Sequence, residues 1–241
     1  MKRKAMSRSE LQPTDQAIGE AHSAIIQQLL TTGRCPSRFQ LATNLKTTEH
    51  DVESRLVRLA EIHGIVLHPD EPECWVVHPF STTPTLHWVD GGTRSWWAPC
   101  IWCALGIATL AGGHVTIHTR KGGESKCLVI DVEDGRPSSI SDNLVVHFSI
   151  PPRIAWQNVH RHCALVLPFN SENDAKSWCE IHGHPSGEVV PMRKVAHLAR
   201  LWYGTYANTD WRKWTVSQAQ EIFRTAELTS AFWRLEGDGT Y

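Results

Sequence analysis

Two cysteines, Cys100 and Cys103, stand three residues apart in WWAPCIWCALG, the most apolar neighbourhood of the chain. Cysteine becomes a nucleophile or a soft-metal ligand only as thiolate, and a helix N-terminus lowers its pKa from about 8.5. Pro99 suits the start of a helix. That start places Cys100 on the first turn beside unpaired backbone N–H groups, with Cys103 on the same face. Three chemistries suit such a pair. A thioredoxin-like redox couple needs a preceding strand in a βαβ setting, and the strand order expected here is wrong for it. A structural zinc site needs two further ligands, and the chain has no second Cys-x-x-Cys, although His160, His162 and Cys163 could complete one. The third is a thiol site completed by one distant cysteine, for which Cys163 is the candidate.

The neighbours of these thiols carry weaker signals. Trp96, Trp97 and Trp102 surround the pair in sequence; they read as core, or as an apolar wall that suits an alkyl or aryl group and excludes water. His160 and His162 flank Cys163 at alternate positions of a predicted strand, so both are expected on the face opposite Cys163, in hydrogen-bonding rather than ligand roles. Cys127, in the strand KCLVIDV, and Cys179, on a helix after Ser171, are expected to pack in the core. Cys35 and Cys74 have no partner evident from spacing.

The elements that must position these residues fall into four segments. Residues 1–14 read as a flexible tail. Residues 15–78 read as a winged helix-turn-helix-like unit. Ala17, Ile18, Ala21, Ile25 and Leu29 recur at helical spacing, a short helix spans 37–45, and Thr47 or Thr48 caps a helix that buries Val52, Leu56, Leu59 and Ile62. IVLHPDEPECWVVHP then reads as a two-stranded wing. Residues 79–204 mix strands and helices. PTLHWVD and TRSWWA flank Gly91-Gly92 as a hairpin, CIWCALGIATLAGG is a short apolar helix, and HVTIHT, KCLVIDV, NLVVHFSI, HCALVLPF and GEVVPM are strands. Helices follow at SENDAKSWCEIHG and MRKVAHLARLWYG, and residues 205–241 form a C-terminal helical extension opened by Thr215 and Gln218. The expected class is α+β: a winged-helix-like unit packed on a mixed or antiparallel sheet core with flanking helices.

Composition narrows the function classes. The chain has 241 residues, 41% hydrophobic and 20% charged, with a formal net charge of -1, which gives no electrostatic case for nucleic acid or anionic membrane. The would-be recognition helix carries Glu49, Asp51 and Glu53 beside only Arg55 and Arg58, where contact with phosphates calls for more basic character. No apolar run approaches the roughly 20 residues that span a bilayer. The basic start lacks the apolar segment of a secretory signal, and the seven cysteines fit a reducing compartment, so a cytoplasmic location is expected.

The stretch GGTRSWWAPCIWCALGIATLAGG resembles the catalytic segment of the bacterial organomercurial (alkylmercury) lyases. In that family a hairpin ending Gly-x-Arg-x-aromatic-aromatic-Ala-x-Cys runs into a short helix. Gly92, Arg94, Trp96, Trp97, Ala98 and Cys100 fall in that pattern without a gap. HCALVLPFNSENDAKSWCEIHG is similar in layout to the family's second cysteine segment, with Cys163 at that cysteine. The likeness continues through SISDNLVVHFSIPP and GEVVPMRKVAHLARLWYG to roughly residue 236. The resemblance implies protonolysis of a carbon–mercury bond on Cys100 and Cys163, with no organic cofactor, a small organomercurial substrate, and cellular thiols or a mercuric reductase to take the product. Organic mercury is a soft cation that thiolates bind in preference to nitrogen or oxygen.

The sequence departs from the family at one functional position: Cys103 stands where the family has the Asp that carries the proton. HCALVLPF also lacks the histidine that many relatives have two residues after the cysteine. A Cys at about 8.5 is mostly protonated at neutral pH, whereas an Asp at about 3.9 is ionised. Cys103 therefore either brings its own proton to the carbon or serves as a third sulfur ligand. Two alternatives stay open: a same-fold cysteine-dependent enzyme acting on a non-mercury organic substrate in secondary metabolism, and a non-catalytic protein that binds a soft metal such as copper, zinc or mercury.

Overall fold

The computed structural model describes residues 13–71, 73–138 and 143–241. Most of the expected N-terminal tail, through residue 12, lies outside the described residues. Three helices come first: α1 (Asp15–Thr32), α2 (Arg38–Leu45) and α3 (Glu49–Glu61). A hydroxyl side chain opens each one. Thr14 accepts from the Ala17 N–H, Ser37 from Gln40 and Thr48 from Asp51, which satisfies donors that a helix start otherwise leaves unpaired. Ile18, Ala21, Ile25 and Leu29 of α1 and Val52, Leu56 and Leu59 of α3 are buried as apolar stripes. The arginines of α3 are held in ion pairs, Arg55 with Asp51 at 2.7 Å and Arg58 with Glu61 at 2.9 Å.

The hairpin β1 (Val66–Leu67) and β2 (Cys74–Val77) continues directly into the main sheet. That sheet also contains β3 (Phe80–Ser81), β4 (His87–Asp90), β5 (Ser95–Ala98), β6 (His114–Arg120), β7 (Cys127–Glu133) and β8 (Arg136–Pro137). Its order is β1-β2-β3-β5-β4-β6-β7-β8, antiparallel at every pairing. Ladder hydrogen bonds from β2 to β3 thus cross the 78/79 boundary read from sequence.

Helix α4 (Ile101–Ala111) has no polar face over its first two turns; residues Ile101 through Ala108 are all buried. A helix apolar all round belongs inside a core. α4 lies between the main sheet and α7 (Met192–Tyr203), whose buried side presents Val195, Leu198 and Trp202. Gly106 makes that approach possible, because a Cβ there would meet the Tyr203 ring at 2.3 Å. A second sheet, β10-β9-β11, is built from β9 (Val145–Phe148), β10 (Val166–Phe169) and β11 (Glu188–Pro191). The short α5 (Val159–Ala164) leads into β10, and α6 (Glu172–His182), capped by Ser171, packs against it. The chain ends with α8 (Val216–Thr225), opened by a Thr215/Gln218 capping box and packed on α7. The class is α+β, and no helix among the described residues is long and apolar enough to cross a membrane.

Two sequence expectations are corrected here. Cys163 sits on α5, not on a strand; Asn158 accepts from the Arg161 N–H and starts a turn of helix, and strand pairing with β9 begins only at Val166. Cys127 is exposed rather than core, because Ile130 and Val132 face inward and the period of two then turns Cys127 and Val129 outward.

Candidate active site

Cys100 is the N-cap of α4 rather than a first-turn residue, with extended backbone and its Sγ accepting from the Cys103 N–H at 3.3 Å. It is fully buried. A sulfur at this position lies against the positive end of the helix dipole, which favours thiolate. Cys103, one turn on, places its Sγ 3.4 Å from the Tyr203 hydroxyl of α7. Cys163 arrives from α5 with its Sγ 3.9 Å from His78 Nε2. The structure therefore brings Cys100, Cys103 and Cys163 together as near neighbours.

The three sulfurs do not share charge equally. Burial pushes the Cys100 thiol up. The Cys103 and Cys163 side chains, the Cys103 backbone N–H and the neighbouring His87 outweigh that and hold it well below the usual thiol range. Cys103 is pushed well above that range, first by burial and then by Cys100; Cys163 is pushed up by its hydrogen bonds to Cys100 and Cys103 and by burial. Cys100 is thus the most acidic of the three sulfurs, and the other two hold their protons more tightly. Beneath Cys100, His87 pairs with Thr119 at 2.8 Å, and burial lowers its pKa to about 4.

Cys103 and Cys163 line a narrow cavity with about 40 Å³ of free space. Cys100 sits behind them. The cavity's aromatic walls come from Trp102, Trp156, Trp202, Tyr203, Tyr206 and Tyr241. Its polar groups besides the thiols are His63, His78, His162 and Lys213. His78, Cys103 and Cys163 bring one ligand atom each within 4.8 Å of one another, all buried, in a geometry that suits a soft ion. Burial, then the Lys213 charge, lowers the His78 pKa to about 3, so its imidazole is neutral and free to ligate.

Of the three tryptophans expected as pocket wall, only Trp102 reaches this cavity. Trp96 donates its indole N–H to the Leu29 carbonyl at 2.7 Å, and Trp97 packs on Trp88 with ring centroids 5.0 Å apart. Both line a separate cleft beside Cys35 and Phe80. They occupy β5, which runs out before the chain turns into α4, and only the helix points toward α7. The opposite-face argument for the histidines also gives way: with Cys163 on a helix, His162 is buried on the cavity wall, while His160 is exposed against Trp75. Cys179 is buried as expected, 3.4 Å from His147 Nε2. Cys35 and Cys74 are brought into side-chain contact as free thiols.

The sequence carries no signal for His78, Tyr203 or Lys213 as site residues. His78 ends the wing strand, Tyr203 ends a helix read only for its apolar face, and Lys213 lies in a segment with no motif. Nothing local marks any of them.

The sequence profile of a known family, described as Alkylmercury lyase, matches residues 80–204, more than half of the 241-residue chain. The fold is similar to the crystal structure of the mercury-bound form of MerB2, with a TM-score of 0.62 and 19% identity over 80% of this chain and 92% of that one. No curated protein sequence matches the chain. The protein belongs to the alkylmercury lyase family, whose members are carbon–mercury lyases.

Proposed function

We propose that the protein cleaves organomercurials by protonolysis, with Cys100 as the thiolate that takes the mercury and Cys103 in the role of the missing acid. The observation that carries this reading is geometric: three buried cysteines converge, Cys100 at the N-cap of α4 under the Cys103 N–H, and Cys103 and Cys163 on the wall of an aromatic cavity. The organomercury cation transfers from a carrier thiol to Cys100, releasing the carrier thiolate. The Cys103 S–H bond then breaks as a carbon–hydrogen bond forms and the carbon–mercury bond breaks. The hydrocarbon leaves, and the Cys103 thiolate becomes the second sulfur on mercuric ion. No electron changes hands, and no organic cofactor is needed. Cys163 and His78 complete the coordination, and Tyr203, donating to the Cys103 sulfur, stabilises the thiolate left after proton transfer. Excess cellular thiol or a mercuric reductase then withdraws the product. In this reading residues 79–204 are the catalytic core, 15–78 a packing unit, and 205–241 a helical extension that adds Tyr206, Lys213 and Tyr241 to the cavity wall.

The test is release of benzene from phenylmercury under excess thiol, measured by gas chromatography. Turnover is expected in the native protein and lost in Cys100→Ser and in Cys163→Ser; organomercury left intact by the native protein overturns the reading. Cys103→Asp restores the family's acid, and its turnover separates a proton carrier from a mere ligand. A second reading, a soft-metal binding protein, has its own observation: the ligand atoms of His78, Cys103 and Cys163 lie within 4.8 Å of one another, all buried. Near-stoichiometric copper or zinc in protein as isolated, together with no turnover, favours that binding role.

A further inference from the structure

Lys213 is the one cationic side chain lining the thiol cavity among the described residues, and no carboxylate lines it. It comes from the C-terminal segment, outside the residues that match the family. The residue is 8% exposed. Its ammonium donates to the His63 carbonyl at 3.0 Å and lies 4.3 Å over the Trp156 ring. An ammonium has three donors, and a carbonyl and a ring face do not neutralise its charge. Burying a charge without a counter-ion is among the costliest arrangements a fold can hold. Burial alone lowers the Lys213 pKa to about 7, which reflects that unmet demand. The same wall thus carries soft sulfur, a cation and aromatic surface.

We propose that Lys213 is an anion-recognition site, and that the preferred substrates are organomercurials whose aromatic group carries a carboxylate. Mercury would rest on the thiols, the ring against Trp102 and Trp156, and the carboxylate against Lys213. The proposal rests on the lyase reading for the word substrate, and the anion site itself can be tested without it.

The experiment compares kcat/KM for 4-carboxyphenylmercury and phenylmercury in the native protein and in Lys213→Met. That variant removes a buried charge and keeps the side-chain length, so the fold is not endangered. The native protein is expected to favour the carboxylated compound, and the ratio of the two values to fall at least about tenfold in Lys213→Met, the scale of one charge-assisted hydrogen bond. A ratio within twofold of the native one overturns the proposal. Benzoate binding, followed by calorimetry in both proteins, gives the independent readout. Benzoate held by the native protein and not by Lys213→Met, with neither mercurial cleaved, keeps the anion site and removes the lyase reading. Equal benzoate binding by the two proteins, or none by either, removes the anion site whatever the turnover.

Discussion

Acid should unfold this protein earlier than a fold of its size requires, because it buries histidines that cannot take a proton in place. His22 is fully buried and stacked on Trp211 with ring centroids 3.7 Å apart, His78 lines the cavity, and His87 lies under Cys100. Burial, above all, lowers their pKa values to about 3, about 3 and about 4. In the unfolded chain each binds its proton at about 6.5. Between that pH and the folded values the unfolded chain holds protons that the fold refuses, so stability is full above about pH 6.5 and falls with acidification. Each pH unit in that window costs about 1.4 kcal/mol per group, or roughly 2 kcal/mol for each histidine between pH 7 and 5. Three such groups remove about 6 kcal/mol, which rivals the whole stability of an ordinary domain. Urea unfolding followed by tryptophan fluorescence at pH 7, 6 and 5 measures this directly. His22→Phe keeps a ring against Trp211 and removes one titrating group, so it should cut the acid loss by about a third. Equal stability at pH 7 and 5, or an unchanged pH slope in His22→Phe, would refute the reasoning.

Two further outcomes follow from the site's construction. Gly106→Ala drives a methyl into the Tyr203 ring, 2.3 Å away, so α7 or the tyrosine must move; urea unfolding should show about 1–3 kcal/mol of lost stability, and Cys103 should react faster with an aromatic disulfide. Mercuric ion bound by all three sulfurs near pH 7 should release fewer than three protons per ion, because Cys100 is held well below the usual thiol range; titration in weakly buffered solution counts them, and three protons would contradict that lowering.

How much of this was legible depended on whether the signal was local. The start of α4 was visible because Pro99, two cysteines and an unbroken apolar run all agree. The hairpin before it was visible from Gly91-Gly92 between alternating strands. α5 was not, since six residues are too few for a period to declare itself, and only the Asn158 cap and its packing make VHRHCA helical. A strand there would set His162 opposite Cys163, whereas a helix turns it onto the cavity wall. Cys127 failed through parity, because an odd offset from Ile130 decides inside from outside. Trp96, Trp97 and Trp102 are alike in type and close in sequence, yet a change from strand to helix between them sends them to different places. Tyr203 reaches Cys103 from about 100 residues away, and Lys213 joins the same cavity wall from farther still, which no local pattern encodes.

The continuous ladder from β2 into β3 has a consequence for how the family core can exist here. The profile match begins at residue 80, just where β3 begins, yet β3 takes its partner from the preceding segment. Cutting the chain there would leave β3 with a free row of N–H and C=O groups, an invitation to pair with another molecule. The same cut would remove His78, and with it one wall of the cavity. The N-terminal unit is therefore no detachable appendage. It is the cover on an aggregation-prone edge, and the segment that covers that edge also supplies a side chain to the wall of the thiol cavity.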